Sequence, residues 1–197
     1  MPVSLIPSFL IYCYVGAITP GPANLCSLGA ALRYGRGPAL RQWRGLFFGF
    51  FLDAMGAVAL TWLLGAALNR YVGMLSWVGA AYLLWLAWHM VHASGIDPDH
   101  DPAAPSFRNG LLVQLTNVKV IVFCITALSV YVLPYSRSIW ALLPVGIFLP
   151  FTGPVCNLVW LFAGASLQKL FADHRRAVDV GMAVSLLLCA VSLVWAH

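Results

Sequence analysis

Six apolar stretches, each about twenty residues or longer, fill most of this 197-residue chain. A helix that crosses a bilayer needs about 20 consecutive, mostly apolar residues. The stretches cover residues 3–32, 45–68, 71–91, 107–133, 138–167 and 177–195. Charged residues make up 9% of the chain, against about 25% in a soluble domain. The chain is long enough to build one packed core, yet it has almost no polar surface to cover one. A soluble globular enzyme, a disordered tail and a disulfide-rich secreted module are therefore poor readings. The expected fold class is an all-α integral membrane protein, one transmembrane domain over residues 1–197.

The charges set the topology. Arg33, Arg36, Arg41 and Arg44 fall in the first connection, Arg108 in the third, and Lys169, Arg175 and Arg176 in the fifth. The second and fourth connections hold only Arg70 and Arg137. Basic residues gather on the cytoplasmic side, so both termini are expected outside, in the periplasm of a bacterial inner membrane. Three spans followed by three spans then run in opposite senses. That is the layout of a 3+3 inverted repeat, common in secondary transporters. The first half is about 1–92, a polar cytoplasmic loop about 93–106, and the second half about 107–197. The basic residues form no stripe interleaved with aromatics, so no nucleic-acid partner is expected. The partners expected are the lipid bilayer and a small molecule. A homodimer is compatible with so small a bundle.

The cysteines, Cys13, Cys26, Cys124, Cys156 and Cys189, all lie inside apolar runs and form no Cys-x-x-Cys pair. They read as small buried apolar residues, with no disulfide framework or zinc site. The N-terminus lacks a basic segment before its apolar run, so no cleavable signal peptide is expected. There is no P-loop, and no cofactor is called for. Transport would be driven by an ion gradient or by the substrate's own gradient.

Polar groups within apolar runs carry the functional information, because a charge at mid-helix costs about 2.5–3.5 kcal/mol on insertion scales. Asp53 shares a helix face with Gly45, Gly49 and Gly56. Small residues mark close helix packing, so Asp53 is expected to point into the bundle. It reads as a proton acceptor or an anchor for a substrate amine, or else as half of a fixed ion pair. Lys119 sits mid-span, about 200° from Asn117 on a regular helix, whereas Gln114 and Asn117 share a face. Either the fourth helix is broken there or Lys119 faces a different neighbour.

Thr19-Pro20-Gly21-Pro22-Ala23-Asn24 interrupts the first span. Prolines remove backbone donors and clash with the preceding turn. A half-helix beginning near Gly21 offers free N–H groups and a positive dipole end, a natural seat for a carboxylate. The fifth span repeats the theme at Thr152-Gly153-Pro154, and Asn157 follows on the same face as Gly153, Trp160 and Gly164. Helices 1 and 5 are thus expected to break at Gly/Pro. His89 and His92, with His100 among Asp97, Asp99 and Asp101, offer imidazoles and carboxylates that suit a divalent cation, or simply an interfacial, solvated loop.

Over nearly its whole length the chain resembles the LysE/RhtB amino-acid exporters. Ile18 to Asn24 is similar to the family's TPGPxN motif. Residues 45–53 resemble its glycine-rich second helix bearing an aspartate, and residues 75–88 its third helix. Residues 107–119 are similar to its fourth-helix segment ending in Asn-Pro-Lys, with Val118 where the family usually has proline. Asn117-Val118-Lys119, residues 126–129 and 132–134, Asn157 and residues 161–168 resemble the cysteine/O-acetylserine branch. The resemblance implies export of small neutral amino acids of that kind. The polar interior then suggests a secondary carrier that works by alternating access, with Asp53 as the proton-coupling group. Homoserine, threonine, leucine or basic amino acids are alternative substrates. A divalent-metal exporter using the histidines and the Asp loop, and a structural membrane subunit, are the competing readings. An intramembrane enzyme is disfavoured. All six acidic residues are Asp, which removes Glu-dependent mechanisms, and only Asp53 lies deep in a span.

Overall fold

The computed structural model describes residues 1–18, 21–65 and 105–166, together with twelve isolated helical positions at 77, 80, 81, 84, 88, 177, 180, 181, 184, 187, 188 and 191. Among the described residues there are helices and no strands. After a short 3-10 turn at Val3–Leu5 come α1 (Ile6–Ile18), α2 (Pro22–Tyr34) and α3 (Arg36–Leu64). The second half contributes α4 (Phe107–Leu115), α5 (Val118–Tyr131), α6 (Ile139–Phe148) and, beyond a 3-10 turn at Leu149–Phe151, α7 (Gly153–Ser166). Thr19, Pro20, most of the third and sixth expected spans and the 93–104 loop lie outside the described residues.

Among the described residues, two helices are long and apolar enough to cross a membrane singly, Arg36–Leu64 with 29 residues and Ile139–Ser166 with 28. Two helix pairs pass the same test together, each bent at a short break: Val3–Ile18 with Pro22–Tyr34 at 44°, and Phe107–Leu115 with Val118–Tyr131 at 57°. The break expected in the fifth span at Gly/Pro is not found: Leu149–Phe151 makes one turn of 3-10 helix, Gly153 and Pro154 open α7, and Ile139–Ser166 carries on as one span.

The sharper bend falls in the fourth span, without a proline at 118. Asn117 (φ −81°, ψ 85°) leaves helical geometry there and caps α5. Thr116 closes the end of α4, its Oγ1 donating to Leu112 O at 2.9 Å and Val113 O at 3.3 Å. Asn117 N donates to Gln114 O at 2.8 Å and Val118 N to Thr116 O at 3.0 Å. Freed backbone groups in a bilayer must be met by protein or water, and these bonds meet several of them.

The first connection is a single residue. Gly35, at φ 78°, ends α2 and starts α3; this backbone conformation favours glycine. Arg36, Arg41 and Arg44 consequently occupy exposed positions in the first turns of α3 instead of a loop. Pro38 is tolerated there because the first turn has no intrahelical acceptors for its missing N–H. Arg36 also stacks 4.9 Å over the Phe162 ring, tying the start of α3 to the end of α7.

The polarity is that of a protein turned inside out. Trp140 is 79% exposed, Leu63 68% and Val159 60%, while Gln114 and Asn117 are 1% and 2% exposed. A surface of this kind belongs in hydrocarbon. Between the helices, glycines bring backbones into direct contact. A Cβ on Gly45 would meet Phe107 O, and one on Gly110 would meet Gln42 O. One turn on, a Cβ on Gly49 would lie 2.7 Å from Gln114 Cβ. Gly56, by contrast, faces open space, so the glycine face of α3 packs only along its first half. A leucine at Gly45 or Gly110 has backbone in its way and must push α3 from α4. Gly45→Leu and Gly110→Leu are each expected to cost at least about 1–3 kcal/mol of overpacking, read as a lower thermal unfolding midpoint of the detergent-purified protein.

Candidate functional site

The bent spans of the two halves meet at a cavity of about 40 Å³, room for about three water molecules. Of the polar positions singled out in the sequence, Gly21, Asn24, Gln114, Asn117, Lys119 and Asn157 line it. Pro22 is buried at the first position of α2 but is not on the wall. Asp53 does not line it either; it stands one hydrogen bond behind, accepting from Gln114 Nε2 at 3.3 Å. Thr19 and Pro20 are outside the described residues, as are His89, His92, His100 and the aspartates of the 97–101 loop. No group of three metal-ligating side chains occurs among the described residues.

The break in the fourth span resolves the Lys119 geometry. A continuous helix would turn Lys119 away from Asn117, but with the bend at Asn117 both reach the cavity. The Lys119 side chain crosses to the other half of the protein and lies along Gly21. A Cβ on Gly21 would be 3.0 Å from Lys119 Cδ and 3.2 Å from Nζ. The ammonium is thereby held beside the N-terminus of α2, whose dipole end is also positive. Gly21 is extended (φ −165°) and its carbonyl accepts from Leu25 N at 2.9 Å. Asn117 also lines the cavity, but its Oδ1 is buried, with no hydrogen-bond partner among the described residues. Two cationic features thus stand beside the shared space.

The C-terminal carbonyls of α1 are answered by side chains from other helices. Asn24 Nδ2 donates to Ala17 O at 2.9 Å. Trp160 Nε1 donates to Ile18 O at 3.2 Å. Asn24 Oδ1 accepts from Asn157 Nδ2 at 2.8 Å, and Asn157 Oδ1 accepts from Ser27 Oγ at 2.6 Å. A polar chain therefore runs from the end of α1 through α2 into α7. The four residues read as one face of the fifth span all meet the first half: Gly153 sits against Phe50, Asn157 against Asn24, Trp160 against Ile18 and Gly164 against Leu28. The sequence reading did not single out Ser27, or Phe50 and Phe123 on the cavity wall. A serine and two aromatics in apolar runs carry no local signal that separates them from core.

A profile of the family described as LysE type translocator matches residues 14–197. The chain belongs to the LysE family. It is 36% identical to a cysteine/O-acetylserine efflux protein of Klebsiella pneumoniae subsp. pneumoniae over 194 residues, covering 98% of this chain and 99% of that one. It is 33% identical to one of Salmonella choleraesuis over 189 residues, covering 96% and 97%. A relative of the same name in Escherichia coli O157:H7 is 31% identical over 193 residues, covering 98% and 99%. No solved structure gives a significant match. This LysE-family chain is a multi-pass membrane transporter, and the cavity where its bent spans meet is its candidate transport site.

Interhelical hydrogen bonds in membranes are worth on average about 0.6 and at most about 1.7 kcal/mol. Asn24→Ala and Asn157→Ala are each expected to lower the thermal midpoint. In a double-mutant cycle their effects should fall short of additive by an energy in that range, measured by unfolding in detergent.

Proposed function

We propose that this LysE-family protein is a secondary exporter of small neutral amino acids, of the cysteine and O-acetylserine kind, in the bacterial inner membrane. The observation that carries the reading is that a cation and an amide oxygen share one cavity. Lys119 Nζ beside the α2 N-terminus suits a carboxylate, and the oxygen of the Gln114 amide, whose NH₂ is turned to Asp53, suits an ammonium. A zwitterionic α-amino acid presents both groups. The names of the efflux relatives support the same substrate class.

Asp53 acts through Gln114. Ionised, it accepts from the Gln114 amide N–H, which leaves the amide oxygen free for the substrate's ammonium. Protonated, Asp53 donates to that oxygen, and the amide presents its NH₂ group instead. A carboxylic acid is a donor where a carboxylate is an acceptor only, so a proton on Asp53 weakens the ammonium seat and favours release. Proton uptake from outside then resets the carrier, giving antiport. The 44° and 57° bends supply places for access to alternate, as expected of discontinuous helices in repeat transporters. Bends in the first and fourth spans occupy equivalent places in a 3+3 repeat, and the eight basic residues on one side support periplasmic termini.

Proteoliposomes loaded with a panel of labelled amino acids, with and without a pH gradient, test this. Wild-type efflux of small neutral substrates should accelerate when protons run inward as substrate leaves. Lys119→Met should raise KM about 10–100-fold, the worth of a charge-assisted hydrogen bond of about 1.5–3 kcal/mol. Asp53→Asn should abolish the response to the pH gradient. An unaltered response removes Asp53 from the coupling, and no efflux of any amino acid by wild type rejects the exporter reading.

A further inference from the structure

Phe50 of α3 and Phe123 of α5 stand edge to face on the cavity wall, ring centres 6.4 Å apart. Neither is free to lean back. A Cβ on Gly153 would run into Phe50 Cε2, and a Cβ on Gly16 would lie 2.8 Å from Phe123 Cε2. Both glycines line the same cavity. Phe123 is further fixed by Tyr12, stacked at 5.0 Å with 3° between planes, whose hydroxyl donates to Phe123 O at 3.0 Å. Phe50 is itself 4% exposed. Each ring is thus held against a glycine of a facing helix and the other ring, and both line the cavity that the polar groups share.

We infer that Phe50 and Phe123 set the size of the substrate side chain. This inference rests on the exporter reading above. The polar groups at Gly21, Gln114 and Lys119 recognise what every α-amino acid carries and cannot tell one side chain from another. Discrimination must come from the apolar part of the wall, where these are the two bulkiest groups. Two seated rings around so small a cavity favour side chains of a few heavy atoms and exclude branched or aromatic ones. The glycines matter in the same way. Without a Cβ they let the rings sit back; with one, the ring must move, and the cavity changes size.

The test measures, in proteoliposomes, the ratio of leucine efflux to efflux of a small neutral amino acid such as serine or cysteine. Phe123→Ala and Phe50→Ala should raise that ratio at least tenfold, since a single methylene in an apolar pocket is worth about 10–200-fold in discrimination. Phe123→Leu and Phe50→Leu, which keep more of the packing, should move it in the same direction by less. Gly16→Ala should move it the opposite way. A ratio unchanged in the Leu variants, with wild-type amounts in the membrane, overturns the inference while leaving the exporter reading intact. Loss of all export in both Leu variants at wild-type membrane level also overturns it, because the rings would then be structural. Wild-type vesicles that export no amino acid overturn the exporter reading itself.

Discussion

Inside a bilayer a helix can stop only where something else takes up its last carbonyls. Water is absent from hydrocarbon, and each unmet backbone group costs several kcal/mol there. In this protein α1 ends at Ile18, and the carbonyls of Ala17 and Ile18 are taken by Asn24 and Trp160. Asn24 spends its amide on α1 and its oxygen on Asn157, and Asn157 in turn is held by Ser27. Remove that set and there is no way to stop α1 at mid-membrane, and no α2 N-terminus beside the cavity. The interruption that makes a polar site and the hydrogen bonds that make it tolerable come from the same few side chains. The second bend is managed differently, by the Thr116 hydroxyl and the short turn through Asn117.

Hydropathy made the membrane class and the apolar helices among the described residues legible, because length and lack of charge are properties of single segments. The start of α3 was hidden for the same reason. Three arginines end an apolar run but do not end a helix, and only the backbone at Gly35 shows that helix resumes at Arg36. Asn24, Gln114, Asn117 and Asn157 could be picked out because amides are costly in lipid unless paired or used. Their partners could not. Which amide meets which is a matter of how α2 crosses α7, and neither sequence segment specifies that alone. Asp53 shows the limit from the other side. Its position facing the interior could be read from Gly45 and Gly49, but not that Gln114 would stand between it and the cavity.

Lys119 is the residue for which regular geometry misleads most. Read on an unbroken helix it points away from Asn117, and Val118 in place of proline removes the usual sign of a break. The chain bends nevertheless, by 57°. Proline forbids a helix, whereas here Thr116 and Asn117 merely offer a competing set of hydrogen bonds, as Ser, Thr and Asn side chains commonly do. Nothing in the local sequence decides between the two outcomes. Packing decides it, since a straight fourth span would carry Lys119 away from Gly21 and out of the polar cavity.

The glycine contacts constrain which parts of the protein can move against each other. At Gly45–Phe107 and Gly110–Gln42 the backbones of α3 and α4 touch, and at Gly49 the Gln114 side chain is pinned to α3. Sliding α4 along α3 would therefore drive backbone into backbone and break the Asp53–Gln114 bond together. On the other side, Gly164 seats against Leu28 O while the Asn24–Asn157–Ser27 bonds link α2 to α7. Each pair is stiff within itself. Between the pairs lie the cavity and the Phe50 ring against Gly153, which is an apolar contact without direction. Near the start of α3 the pairs are also tied by directed contacts: Trp43 Nε1 donates to Pro154 O at 2.9 Å, Gln42 Nε2 to Cys26 Sγ at 3.1 Å, and Arg36 stacks over Phe162. A change of shape that kept these ties would pivot about the start of α3, widen the cavity, and leave Asp53 and Gln114 together throughout.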